Sequence, residues 1–197
     1  MVAHAESVSR TQVDIRQACY ADHAALRDFL RGLSPRARYL RFFTGGVSTS
    51  PATLRMLAGG GDHIDAVVAV ENGVIIGHAM ASDMTGPGGS HVTEIGVVVT
   101  DARQGRGIGS ALLRTLAARA QARGVTAATM DVLAENRQVL AMIAHYWPTA
   151  RQDRSGPYIT IHARLPQPGR SPVPHPVQNR PRRPLEGRRT ERLAVPY

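Results

Sequence analysis

Apolar residues along this chain recur with period two, then with period three to four, then with period two again. In Thr11–Ala18 (TQVDIRQA) Val13 and Ile15 alternate with polar neighbours, which predicts a first strand. Tyr20–Leu33 follows with Ala25, Leu26, Phe29, Leu30 and Leu33 at helical spacing. Ser34-Pro35 supplies an N-cap and a first-turn proline for a second helix over Arg36–Phe43, and Gly45-Gly46 ends it. Ser50-Pro51 repeats that start for a short third helix through Leu57 and Ala58. Beyond Gly59-Gly60-Gly61 the pattern becomes that of strands. Ile64–Val70 and Val74–Ser82 flank the hairpin signal Glu71-Asn72-Gly73, and a glycine-rich loop over Thr85–Ser90 precedes the apolar run Thr93–Thr100. Gly107–Arg123 is an amphipathic helix with Gly124 just past its end. A strand over Val125–Leu133, a helix over Glu135–Tyr146 and a strand over Tyr158–Leu165 complete the order, which is that of a mixed α/β sandwich rather than a regular doubly wound sheet.

Composition narrows the chemistry. All 24 basic residues are arginine, against 15 acids, for a net charge of +9. Without lysine there is no Schiff-base enzyme of the pyridoxal or aldolase kind, and no phosphate loop with its usual lysine. The stretch from Leu165 to Tyr197 holds seven Arg, two acids and eight Pro, so its excess of five positive charges is over half of the total. It has too little apolar surface to offset its ordering entropy and is expected to be disordered. It also lacks aromatics to stack on bases, so a nucleic-acid role is not expected. The expected organisation is a short extension over 1–11, one domain over 12–165 and a basic tail over 166–197. No run approaches the ~18 apolar residues of a membrane span. Met1–Gln12 has no apolar core of a secretory signal, and the single Cys19 makes no internal disulfide, so a cytoplasmic protein is expected. The eight histidines show no paired ligand spacing, and no metal is expected.

The chemistry points to Gln104-Gly105-Arg106-Gly107-Ile108-Gly109. A strand that runs into a glycine-rich turn opening a helix is a phosphate-binding device, because free backbone N–H groups and the positive helix end converge there. The dinucleotide fingerprint G-x-G-x-x-G fails at Ser110, and the nucleotide loop fails for lack of lysine. The pattern Gln/Arg-x-x-Gly-x-Gly/Ala, which cradles the pyrophosphate of coenzyme A, is satisfied by Gln104, Gly107 and Gly109.

The segment EIGVVVTDARQGRGIGSALLRTLAARAQARGVTAATMDVLAEN resembles the core of the GCN5-related N-acetyltransferase (GNAT) superfamily over its whole length. Glu94-Ile95-Gly96-Val97-Val98-Val99, Ser34–Phe43 and Val132–Arg137 are similar to segments of its bacterial protein lysine acetyltransferase branch, and the likeness covers about Asp14–Arg164. One departure is Trp147-Pro148, where those proteins have Gly-Phe. The resemblance implies an α/β fold with a mixed, mostly antiparallel twisted sheet flanked by helices on both faces. It implies acetyl-CoA as acyl donor, held by backbone groups of Val97, Val98 and Val99, by Gln104, Gly105, Arg106, Gly107, Ile108, Gly109 and Ser110, and by Asn136. It makes Glu94 the base. In physical terms an ammonium must lose a proton before it attacks a thioester, and a carboxylate made more basic by desolvation in a partly apolar strand can take it.

The bland readings stand beside these. Asn136 is equally a helix cap, Arg103 and Arg106 equally solvated charges, and Arg38, Tyr39 and Arg41 a helix surface. Tyr146 does not align with the tyrosine that reprotonates the thiolate in many superfamily members. The expected function is N-acetyl transfer to protein lysines. The rivals are a small-molecule amine acceptor and a non-catalytic acyl-CoA-binding regulator whose tail recruits a partner.

Overall fold

In a computed structural model, residues 12–166 are described; the expected N-terminal extension and, past Pro166, the expected basic tail lie outside them. Seven strands form one sheet in the order β1-β2-β3-β4-β5-β7-β6. They are β1 (Val13–Gln17), β2 (Ile64–Glu71), β3 (Val74–Thr85), β4 (His91–Val99), β5 (Ala127–Leu133), β6 (Arg151–Ser155) and β7 (Tyr158–Arg164). Every neighbouring pair is antiparallel except β4–β5, which is parallel. The helices are α1 (His23–Gly32), α2 (Pro35–Phe42), α3 (Pro51–Leu57), α4 (Ile108–Ala122) and α5 (Arg137–Tyr146). The expected α/β class with a mixed, mostly antiparallel sheet is the one observed, and no helix among the described residues is long and apolar enough to cross a membrane.

Local chemistry sets the helix starts. Ser34 Oγ accepts from Ala37 N at 3.1 Å and Ser50 Oγ from Thr53 N at 3.2 Å, each one residue before a proline. Phe43, in the left-handed region at φ +61°, ends α2. The helix expected from Tyr20 begins instead as a 3-10 turn, Tyr20–Asp22, because Asp22 is drawn back to Arg16 (2.7 Å) and to Cys19 N (2.9 Å).

Two apolar layers sandwich the sheet. On one face Leu112, Leu113 and Leu116 of α4 and Ile143 of α5 pack on Val67, Ala69, Ile76 and Ile95; on the other, Leu26, Leu33 and Leu54 pack on Ala66, Val68 and Val98. Gly77 lets α4 sit close, since a Cβ there would stand 2.9 Å from Leu112 Cδ1. At its far end α4 is tied down by ions. Arg119 and Arg123 both reach the buried Asp65, and Arg123 also reaches Asp83 at 2.9 Å.

The β3–β4 hairpin and one strand depart most from expectation. β3 and β4 stay paired out to Thr85↔His91, through polar residues that break the apolar alternation. Strand β6 has no counterpart in the sequence reading. All five of its residues are exposed on an edge, so no apolar rhythm marks it, and it is defined by pairing with β7. The departure at Trp147-Pro148 falls at the end of α5, where Trp147 is the C-cap at ψ +72°, outside the helical region that is disfavoured before a proline.

Candidate active site

The sheet opens at its middle. β4 pairs with β5 only from Val92 to Glu94, opposite Ala127 to Thr129, yet β4 continues to Val99 and β5 to Leu133. The two strands part beyond Glu94 and leave a wedge with a free strand edge. Thr100 N donates to Ile76 O at 2.9 Å, which makes Gly77↔Val99 a non-hydrogen-bonded pair of the β3–β4 ladder. By alternation Val97 and Val99 turn their main-chain groups into the wedge, while Val98 turns its own toward β3. Of the three valines expected to offer N–H groups, two do.

The turn after β4 is braced from both sides. Gln104 Nε2 donates to Val99 O at 3.0 Å, and Arg103 Nε to the buried Glu71 at 2.5 Å. Gly105 and Gly107 sit in the left-handed region at φ +73° and +79°, which glycine adopts without strain, and a Cβ at either would stand in open space. Gly107 caps α4 without a side chain, and Ala111 N is the first amide to bond back, to Gly107 O at 3.0 Å. The amides of Ile108, Gly109 and Ser110 therefore lack intrahelical partners and point out of the helix end.

Wedge and turn share one cavity of roughly 650 Å³. Val97, Val98, Val99, Gln104, Gly105, Gly107, Ile108, Gly109, Ser110 and Asn136 line it, and α2 contributes Arg36, Leu40 and Arg41. Arg106 is exposed at the tip of the turn and is not among the lining residues, and Arg103 is committed to Glu71. Asn136 Oδ1 accepts from Val139 N at 3.3 Å, so it caps α5 while it lines the cavity. Tyr146 stands among Arg114, His145 and Trp147 and lines neither this cavity nor the next.

A smaller cavity of about 40 Å³ shares Leu40, Arg41, Val97, Asn136 and Val139 with the first and adds Glu94, Gly96 and Asp131. Glu94 is exposed there. The apolar setting expected for it is not supplied by the protein alone, because β5 leaves β4 just past this residue. Asp131 Oδ1 accepts from Thr160 Oγ1 at 2.6 Å.

Arg41, expected on the helix surface, lies over the sheet instead. A Cβ on Gly96 would fall inside its guanidinium, so the glycine makes the space the arginine fills. Burial pushes Arg41 below its ordinary value, and the charge of Glu94 works against that. Deeper on this face His78, buried, hydrogen-bonds Leu57 O at 2.8 Å, and burial pushes its imidazole down to about 4. It is neutral at pH 7. The signal that sequence reading passed over was the lone glycine inside an apolar strand, a mark of close approach. By contrast Arg38 is structural, donating to Leu33 O and Arg31 O, both at 2.9 Å.

Comparison with known proteins gives the same direction. Residues 36–145 match the model of the acetyltransferase (GNAT) family. No curated protein matches the chain. Among solved structures, the GNAT domain of S. lividans PAT is 24% identical with a TM-score of 0.68, over 78% of this chain and 90% of that one. Ribosomal-protein-alanine N-acetyltransferase of Brucella melitensis is 20% identical with a TM-score of 0.60, over 77% and 98%. NAA60 of Arabidopsis thaliana in complex with acetyl-CoA is 16% identical with a TM-score of 0.58, over 78% and 97%. At these identities the likeness is one of fold.

Proposed function

The chain belongs to the acetyltransferase (GNAT) family, and from that premise we propose that it moves the acetyl group of acetyl-CoA to an amine, with Glu94 as base and protein lysine side chains as acceptors. The observation that carries the reading is the single cavity joining a free strand edge to a helix end with unpartnered amides. Pyrophosphate suits the amides of Ile108, Gly109 and Ser110, where backbone dipoles favour negative charge. An extended pantetheine arm suits the wedge, where Val97 and Val99 offer strand-like bonds. That seat brings the thioester beside Gly96 and Val97, within the span of strand that also carries Glu94.

In the proposed reaction the acceptor enters through the smaller cavity. Glu94 takes the proton of the ammonium, directly or through water, and the freed nitrogen attacks the thioester carbonyl. A Val97 or Val99 N–H steadies the charge that develops on the carbonyl oxygen. The C–N bond forms, the C–S bond breaks with its electron pair on sulfur, and the nitrogen's surplus proton passes to that sulfur, so that the thiol leaves. An exposed Glu94 can exchange protons with solvent between turnovers, and the bound substrates exclude water from the wedge.

Protein lysine is favoured by the likeness of Ser34–Phe43 and Glu94–Val99 to the lysine-modifying branch, and Glu94 stands exposed at the rim of the smaller cavity, where a side chain of a large partner can approach it. The test is labelled acetyl-CoA incubated with the protein and a lysate, followed by mapping of the label. Label on lysines of defined proteins is expected. Label confined to small amines would move the acceptor to that class, and none anywhere would remove the transferase reading. The chain has no lysine of its own, so lysine side-chain label cannot arise from the enzyme itself.

A further inference from the structure

Arg41 carries more binding capacity than the acetyl reaction uses. Its guanidinium fills the space a Cβ on Gly96 would take, and its Cζ lies over the Phe42 ring, 5.0 Å from the centroid. Its Nε is buried and bonds to nothing in the protein. A buried donor left without a partner is costly, and a cationic one more so, which marks a place where a ligand completes the site. Arg41 lines both cavities, at the point where the thioester and the amine would meet.

The planar fork of a guanidinium matches a carboxylate, with two parallel N–H···O bonds. Two sources could bring one, the acyl chain or the acceptor. Charge separates them. The donor cavity carries Arg36, Arg41, Arg137 and the Glu71-paired Arg103 against Asp101 and Glu135, whereas the acceptor cavity adds Glu94 and Asp131, which oppose a further anion. We infer that Arg41 reads a carboxylate at the far end of the acyl chain, so that the site takes a dicarboxylic acyl-CoA such as succinyl-CoA as well as acetyl-CoA. The inference rests on the proposed seat of the acyl donor. A thioester beside Val97 lies about one strand residue, roughly 3.3 Å, from the backbone of Gly96 beneath the guanidinium, a span that the two methylenes of a succinyl group cover. The transfer balances as before. The amine proton passes to Glu94, the C–N bond replaces the C–S bond, the thiol leaves, and the distal carboxylate stays on Arg41 unchanged. Arg41 then stands between two carboxylates, Glu94 and the ligand's.

Dissociation constants for butyryl-CoA and succinyl-CoA, which differ in the terminal carboxylate at equal chain length, test this without turnover. The wild-type chain is expected to prefer succinyl-CoA by about tenfold or more, the scale of one charge-assisted bond. Arg41→Met should bring the ratio to about one. Gly96→Ala should do the same with the charge retained, because its Cβ takes the guanidinium's place, and it serves if Arg41→Met does not fold. Equal binding of the two thioesters by the wild type, or a preference that survives in the folded variants, overturns the inference. A second arm compares glutamate with glutamine amide as acceptor. An Arg41-dependent carboxylate preference there, and none among donors, would put the carboxylate on the acceptor and overturn the donor assignment. Failure of the wild type to bind coenzyme A itself would instead sink the proposed function. Coenzyme A bound without a succinyl preference sinks only this inference.

Discussion

Gly107→Ala and Gly124→Ala form a matched pair. Both glycines flank α4, at φ +79° before its first turn and φ +85° after its last, and a Cβ at either meets nothing within 4 Å. The folded-state cost of alanine is therefore the left-handed backbone alone, about 1 kcal/mol at each position. In a domain of this size that lowers Tm by roughly 2–4 °C, alike for both. Function should separate them. At Gly107 the strain is relieved by turning the peptide out of the left-handed region, which re-aims the amides of Ile108, Gly109 and Ser110, and the new methyl stands in the space a phosphate would use. Loss of one well-aimed charge-assisted bond, about 1.5–3 kcal/mol, weakens coenzyme A binding tenfold or more. At Gly124, at the other end of the helix, the same strain leaves binding within about twofold of wild type. Thermal unfolding gives the first quantity and titration calorimetry with coenzyme A the second. Equal loss of affinity in both variants, or none in Gly107→Ala, would refute the placement of the phosphate at this turn.

Two further outcomes concern stability. Asp65→Ala strips Arg119 and Arg123 of their shared, buried partner; both guanidinium groups stay more than a third exposed, so the cost is about 1–2 kcal/mol rather than the larger figure for a fully buried pair, read as a lower urea midpoint with coenzyme A affinity unchanged. An unchanged midpoint would show that the ion cluster does not fasten α4. His78 refuses a proton in the fold down to about 4, while the unfolded chain accepts it near 6.5. Stability should thus fall with falling pH across that window, by an amount on the order of 3 kcal/mol, and hold steady above it. Asp22, whose carboxyl the Arg16 guanidinium holds down to about 2, adds a loss only below its ordinary value of 3.8. Denaturant midpoints of His78→Gln from pH 7 to 4 should be flatter than wild type, and parallel curves would contradict the assignment.

The chain announces its fold wherever burial is one-sided. The leucines of α4 and the strands packed beneath them keep their periods, and the Ser-Pro starts of α2 and α3 carry their own capping chemistry. β6 was not legible because an exposed edge strand buries nothing, and its existence depends on a partner contributed by β7. At the site the turn could be read because its glycines answer to backbone geometry, which is local. Arg41 could not be read from its own helix. Its burial is set by Gly96, more than fifty residues away in sequence, and by the parting of β4 from β5, which is a property of pairing. The exposure of Glu94 has the same cause.

The reading that this wedge is a catalyst, and more than a binding site, depends on Glu94. Its measurement is Glu94→Gln, assayed for acetyl transfer to lysine under single-turnover conditions beside its dissociation constant for acetyl-CoA. The expected result is a transfer rate reduced about 100-fold, the scale of a lost general base, with binding unchanged. Transfer at the wild-type rate would make Glu94 an ordinary strand residue and contradict the mechanism.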